Sequence, residues 1–348
     1  MYEIDFLQVT TTEKSGDAIA MRFTRPDNDR LAVVVIDAGY TAFGDTLADH
    51  IKGFYETSHI DLVISTHPDA DHFNGIGRLL ERMTVGELMV HQPNLHGHDE
   101  DEACAGKVKE LVGLASDAGI RVAEPFYDVT RFGGALTVLG PTRDYYETLL
   151  SQQVDEVKKA SRFAEVLTAV TKAAKKPLRL AEDLVPLPTP FTDDGGTSAR
   201  NNTSAVVQLL LEGGTRRILF TGDAGVPALL PVADALEARG DVAVPLELIQ
   251  IPHHGSRHNG SNELLDRLLG RADRNAAKIH EAMISASKDA PKHPSPKIVN
   301  EYKLRRCFVR SNETGHVCHH HDTPTRPGWN AVPELPFLVD GDERENPA

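Results

Sequence analysis

ISTHPDADHFNG, residues Ile64 to Gly75, sets two imidazoles and two carboxylates, His67, Asp69, Asp71 and His72, within six positions just past the apolar run Ile60 to Ser65 (IDLVIS). Loops at the carboxyl ends of strands are where α/β folds assemble their sites, so a turn at this place can aim all four side chains into one cleft. Imidazole mixed with carboxylate suits zinc, iron or manganese, whereas an all-oxygen set favours magnesium or calcium.

Two further strand-like runs end in the same way. Arg217 to Phe220 (RILF) leads into Thr221-Gly222-Asp223, and Leu246 to Ile251 (LELIQI) leads into Pro252-His253-His254-Gly255-Ser256. Three such endings predict one shared site. Two ions ~3.5 to 4 Å apart, bridged by a carboxylate and a hydroxide, activate water and stabilise charge on a substrate oxygen, which points to hydrolysis.

Around these motifs the chain alternates. Strand character at Ala18 to Phe23, Leu31 to Ile36 and Ile60 to Ser65 is interleaved with helical spacing at Gly44 to Tyr55 and Gly75 to Met83, which predicts α/β layering. A helix over 103–118 and a strand over 135–139 follow the histidine-bearing loop VHQPNLHGHDE, whose His91, His96 and His98 read as a solvated loop. Residues 144–175 are charged and helical in pattern, and 177–200 are rich in Pro, Thr, Asp and Gly; together 144–200 read as a helical and loop insertion or lid on a single domain spanning 1–340. Strand character returns at Ser204 to Leu211. Residues 341–348 read as a flexible tail.

Composition sets bounds. The 348 residues, 40% hydrophobic and 25% charged, suit a globular chain with a large core. Cys104, Cys307 and Cys318 form no disulfide pattern. The opening MYEIDFLQVTTTEKSGD lacks the basic and apolar regions of a signal peptide, and no apolar run approaches the roughly 20 residues of a membrane span; the chain reads as cytoplasmic, with no membrane partner. A net charge of -14 argues against a broad, sequence-independent grip on nucleic acid but leaves room for a phosphate substrate held by metal ions. The run His316, Cys318, His319, His320 and His321 lacks a zinc spacing and reads as a surface turn.

Taken together, HPDADH, TGD and PHHGS resemble the metallo-β-lactamase fold superfamily, and more narrowly the hydrolase domain of ComEC-type competence proteins, in which the central motif histidine is commonly aspartate, as Asp69 is here. Gly16-Asp17-Ala18, Asp37-Ala38-Gly39, Asn201-Asn202-Thr203-Ser204 and His293-Pro294-Ser295-Pro296 extend the resemblance over most of the chain. The resemblance implies a mixed α and β fold, a four-layer αββα sandwich, and two divalent ions, zinc or manganese. It implies that His67 and Asp69 serve one ion and Asp71 and His72 the other, with Asp223 bridging and either His253 or His254 as the last ligand. Asp71 would also take or hold the proton of the attacking water. The superfamily's isolated third histidine is replaced near Asn201-Asn202, leaving the first position short of one strong ligand. His293 reads either as a general acid or phosphate-binding residue or as a helix-entry residue fixed by the following prolines.

A soluble phosphodiesterase or nuclease is the expected activity, on DNA, RNA or a smaller diester, with Asn202, Ser256, Arg257 and Lys292 as candidate substrate contacts and Arg200, Lys288 and Lys297 near the same elements. A small-molecule esterase, phosphorylcholine esterase or lactonase on the same fold is the alternative. A third reading is a defence or competence component that works with a protein partner docked through 144–200.

Overall fold

Leu31–Ala38 shows why the sheets form. Its alternate residues Ala32, Val34 and Ile36 enter one apolar cluster, while Val33 and Val35 enter another, so both faces of the strand are buried. Strands with two apolar faces belong inside a layered fold. The computed structural model describes residues 1–9, 14–98, 104–164, 178–179, 186, 188–290 and 293–339, with the backbone alone for 157–164 and 178–179.

The first sheet contains β1 (Tyr2–Phe6), β2 (Ala18–Thr24), β3 (Leu31–Ala38), β4 (His59–Ile64), β5 (Thr84–Met89) and β6 (Arg121–Ala123). The second contains β7 (Thr130–Arg131), β8 (Leu136–Gly140), β10 (Val206–Leu211), β11 (Arg216–Phe220), β12 (Leu246–Gln250), β13 (His280–Ile284) and β14 (Cys307–Ser311). A late strand, β15 (Val317–His321), returns to the first sheet, giving the orders β15-β1-β2-β3-β4-β5-β6 and β14-β13-β12-β11-β10-β8-β7. β9 (Leu178–Arg179) and β16 (Leu338–Val339) pair separately.

Helices cover both outer faces. α1 (Thr41–His50), α3 (Ile76–Arg82) and α4 (Cys104–Asp117) send Leu47, Ile76, Leu79, Val108 and Leu111 against the first sheet. α6 (Val226–Arg239), α7 (Asn262–Leu269) and α8 (Pro296–Leu304) send Leu229, Leu236, Leu265 and Val299 against the second. Between the sheets Ile4, Phe6, Ile36 and Ile64 meet Val207, Ile218, Phe220 and Leu248. The order is helix, sheet, sheet, helix, the αββα sandwich expected. Each large apolar side chain buried in this way contributes about 1.5–3 kcal/mol.

Several readings of the sequence are corrected. The expected helix to Tyr55 is α1 followed by one π turn, Ile51–Tyr55, and it ends at Glu56 in the left-handed region. The histidine run from His316 is not a surface turn: Val317–His321 is β15, paired antiparallel to β1, its period-2 signal hidden because its alternate positions carry histidine rather than apolar residues. β13 and β14 carry no motif and escaped the sequence reading. The proline-rich stretch contains the two-residue β9, and α5 (Arg143–Ala164) forms the described part of the helical expectation. Residues 165–175 of that expectation, Lys292 and the 341–348 tail lie outside the described residues. No helix among the described residues is long and apolar enough to cross a membrane.

The turn that carries the motif is pinned by Gly75, where an added Cβ would lie 2.0 Å from the Ala38 carbonyl oxygen, while Gly77 in α3 has open space around it. Gly75→Ala should cost about 3 kcal/mol in urea unfolding. Gly77→Ala, which only removes backbone freedom, should raise stability by about 0.5–1 kcal/mol in the same measurement.

Candidate metal centre

The site lies where β3, β4, β11 and β12 end. After β4, His67 is followed by Asp69 in extended backbone, which enters α2 (Ala70–Phe73) and so delivers Asp71 and His72 in its first turn. After β12 the chain turns sharply: His253 (φ 49), His254 (φ 54) and Gly255 (φ 80) are all left-handed. Two successive non-glycine residues in this region are costly, of order 1–3 kcal/mol each. Four backbone bonds hold the turn: His253 N to Gly222 O at 3.1 Å, Gly255 N to Pro252 O at 3.1 Å, Ser256 N to His253 O at 2.9 Å and Ser295 N to Gly255 O at 2.9 Å. The strain aims two adjacent imidazoles into one cleft, where an extended strand would send them to opposite faces.

Asp223 divides the ligands into two sets. Its Oδ1 lies 3.3 Å from His72 Nε2, and its Oδ2 lies 3.8 Å from His67 Nε2 and 3.6 Å from His253 Nε2. Beside His67, Asp69 Oδ2 stands 3.6 Å from Nε2. On the His72 side, His254 packs ring to ring at 5.4 Å and faces Asp71 Oδ2 at 3.4 Å through its Nε2. Each half therefore has two imidazoles, a share of Asp223 and a further carboxylate. His253 lies toward Asp223 Oδ2, and His254 lies beside His72 and Asp71, so both imidazoles face the cluster.

The supporting groups fix orientation. Asp37 Oδ2 receives His72 Nδ1 at 2.7 Å and also accepts the Thr66 hydroxyl at 2.6 Å, leaving His72 Nε2 to face the site. His254 Nδ1 donates to the Ser285 carbonyl at 2.8 Å, and the His253 Nδ1 edge meets Asn259 Oδ1 at 3.1 Å. Such outer partners set tautomer and ring angle at metal sites. Asp17, buried beside His72 Nδ1 at 3.7 Å and held by Gln250 Nε2 at 3.0 Å, adds a second carboxylate to that half.

The charges are coupled. Burial alone would lower the His254 pKa, but the charge of Asp223 and the Asp71 carboxylate facing its Nε2 raise it to about 9. Burial would raise the Asp71 carboxyl, but the facing His254 imidazole and the His72 charge hold it at about 2. His72 is pushed well up and Asp223 well down, in each case because neighbouring opposite charge outweighs burial. For Asp17 burial dominates and the carboxyl is raised.

The residues fit divalent metal. His67 Nε2, His72 Nε2, His254 Nε2 and Asp223 Oδ1 are buried polar atoms that make no hydrogen bond, and buried polar atoms are ordinarily satisfied. Asp17, His72, Asp223 and His254 bring ligand atoms within 4.8 Å of one another, the one such group among the described residues. A dication placed among these donors would meet the ordinary imidazole and carboxylate chemistry of zinc or manganese.

Other candidates fall elsewhere. His293 is beside the site, its ring centroid 5.7 Å from that of His253. Asn202 is buried and its Oδ1 accepts the Gly225 amide at 3.0 Å, at the entry to α6. Ser256 is buried with Oγ accepting His258 N at 3.3 Å, so both residues do structural work here. Arg257 is exposed. His91 and His96 are not solvated: His91 is buried and stacks on Tyr146 at 4.5 Å, and the His96 side chain, 1% exposed, lies between Glu124 and Glu147. Phe126 and Tyr146, distant in sequence, cover them, which no local pattern announces. Asp17 and Asp37 were missed as site residues, although each lies at a strand terminus, Asp17 just before β2 and Asp37 at the penultimate position of β3.

Residues 29–150 match the family model for the metallo-beta-lactamase superfamily; the matched stretch carries His67 to His72 and ends before Asp223. The uncharacterized protein YcaI of Escherichia coli (strain K12) is 34% identical over 112 residues, 32% of this chain and 13% of that protein, so the chain spans about an eighth of the length of the curated relative it matches. Among solved structures, a diphosphatase from the PhnP family is similar at 10% identity and a TM-score of 0.41, covering 92% of this chain and 98% of that one. The metallo-beta-lactamase MIM-1 from Novosphingobium pentaromativorans is similar at 15% identity and a TM-score of 0.33, with 86% and 89% covered. The layers and sheet orders described above define the fold without them.

Two outcomes follow from this geometry. Asp37→Asn should weaken ion binding about 10- to 100-fold in equilibrium dialysis although Asp37 faces no ion position, because it frees the His72 ring. In metal-free protein, His254 sits above its unfolded pKa of about 6.5, so its stabilisation is complete below that pH and is lost as pH rises through about 9. Asp71 acts in the reverse direction, complete above about pH 4 and lost as pH falls through about 2. Melting temperature without metal should therefore fall between pH 6.5 and 9, and zinc or manganese, which requires neutral His254, should reverse that fall.

Proposed function

We propose that the chain is a metal-dependent hydrolase of phosphoesters that holds two divalent ions, with His67, Asp69 and His253 around the first, Asp71, His72, His254 and Asp17 around the second, and Asp223 between them. The observation that carries the reading is the division of the Asp223 carboxylate, one oxygen toward His72 and the other toward His67 and His253. Asp69 in place of an imidazole adds oxygen to the first half, and the Arg200 guanidinium beside it offers donors suited to a phosphate. The likeness to ComEC-type hydrolase domains belongs to this reading.

Two bound dications would supply an activated water and charge neutralisation at the substrate phosphoryl group. The chain's own residues do the rest. Asp71, at the open side of the site and held ionised, accepts a hydrogen bond or proton from the attacking water. His293, next to His253 at the rim, gives a proton to the leaving oxygen. The buried floor of His67, His72, Asp223 and His254 limits water to the open side.

Charge favours a small diester over a long polymer. The chain carries a formal -14, and Lys297 is engaged by Thr189 and Glu301; a polynucleotide track needs basic groups set against successive phosphates.

With manganese or zinc, the protein should turn over bis(p-nitrophenyl) phosphate, and an Asp71→Ala/His72→Ala variant should not. Equal activity in that variant would sink the site assignment; turnover of single- or double-stranded DNA or RNA at matching rates would sink the preference for small diesters. His293→Ala should lower kcat about a hundredfold or more for a diester with an alkyl leaving group and far less for p-nitrophenol, which leaves without a proton. Equal losses on both would remove His293 from the acid role.

A further inference from the structure

The two ion positions differ in how they are enclosed. Of the second set, Asp17, His72, Asp223 and His254 are buried and Asp71 alone reaches the open side, at 27% exposed, whereas in the first set His67 is buried and both Asp69 and His253 are open, at 30% and 29%. At that open corner Asp69 Oδ2 faces His67, and its other oxygen, Oδ1, accepts a hydrogen bond from Arg200 Nη1 at 3.2 Å. Arg200 is firmly placed: its carbonyl accepts Thr203 N at 3.0 Å and Thr203 Oγ1 at 2.6 Å, and the preceding amide, Ala199 N, donates to Glu156 Oε1 of α5 at 3.2 Å.

A carboxylate that already compensates a guanidinium has less charge to give a cation, and the guanidinium itself repels that cation. Among the described residues, Asp17, Asp71 and Asp223 pair with no arginine. The arginine therefore weakens one position selectively. An anion at the open corner changes the balance, because a phosphate presents oxygens that match the guanidinium fork and at the same time neutralises the neighbouring cation.

We propose that Arg200 makes occupancy of the first ion position depend on an anionic ligand of the phosphodiester class: without the anion Arg200 draws on Asp69, and with it the guanidinium turns its donors to the phosphate while Asp69 serves the ion. The proposal rests on the two-ion reading of the site. Arg200 is then a positioning and specificity residue, and the coupling is reciprocal, so that the ion tightens the anion by the factor with which the anion tightens the ion.

Equilibrium dialysis with manganese, with free ion counted by its electron paramagnetic resonance signal, tests this without any turnover. The probe is dimethyl phosphate, an inert phosphodiester. Wild type should bind one ion tightly and a second at least about tenfold more weakly, and dimethyl phosphate should tighten the second about tenfold or more. Arg200→Gln should bind both ions without the anion and respond to it less than about twofold. Arg200→Lys, which keeps the charge but not the fork, should bind the tight ion as wild type does and lose most of the anion response; this variant preserves the test if Arg200→Gln has an altered near-ultraviolet dichroism spectrum. Two ions of equal affinity in wild type without anion, or a full anion response in either variant, overturns the proposal. If wild type binds no more manganese than an Asp223→Asn/His72→Ala control, it is the two-ion reading that fails.

Discussion

Three carboxylates, Asp17, Asp37 and Asp223, are taken out of water at one end of the sandwich, and much of the surrounding structure compensates for them. An uncompensated buried carboxylate costs several kcal/mol. Asp37 is answered by Thr66 and His72, Asp223 by imidazoles from two strand ends, and Asp17 by the side chain of Gln250. Gln250 also accepts the Thr221 and Gly222 amides through its carbonyl oxygen, at 3.0 and 3.1 Å. One amide on the second sheet thus sets the Asp223 turn relative to a turn of the first sheet. The spacing of the sheets and the spacing of the ligands are fixed by the same group.

The same balance explains the tolerated backbone strain. Asp37, His253 and His254 are left-handed without being glycine, and all three carry side chains that face the charged cluster. A glycine would relax the backbone at each place, yet none could supply the carboxylate or imidazole. Chemistry outranks conformational ease here, which is the ordinary meaning of strain at a site.

Much of this was legible in the sequence because the ligands are local. HPDADH, TGD and PHHGS each follow an apolar strand, so their meeting at one end of the sandwich could be read from order alone. The less legible features depend on tertiary contacts. His91 and His96 read as solvated until Phe126 and Tyr146 are seen to cover them, and Asn202 reads as a substrate contact until its amide oxygen is found on Gly225. Either His253 or His254 was legible as a ligand, but not that both face the cluster, because an extended backbone would turn them apart; only the left-handed turn brings both rings to it.

The pairing of β15 with β1 bears on how the chain is made. Tyr2 stands opposite His321 and Phe6 opposite Val317, so the first strand has one neighbour early, β2, and the other only near the end of the sequence. During vectorial synthesis the β1 edge, with its unpaired amides and carbonyls, stays open until residues 317–321 have emerged. The β1 edge is completed only after β2 to β14 have been made, and it is a template for mispairing through that interval.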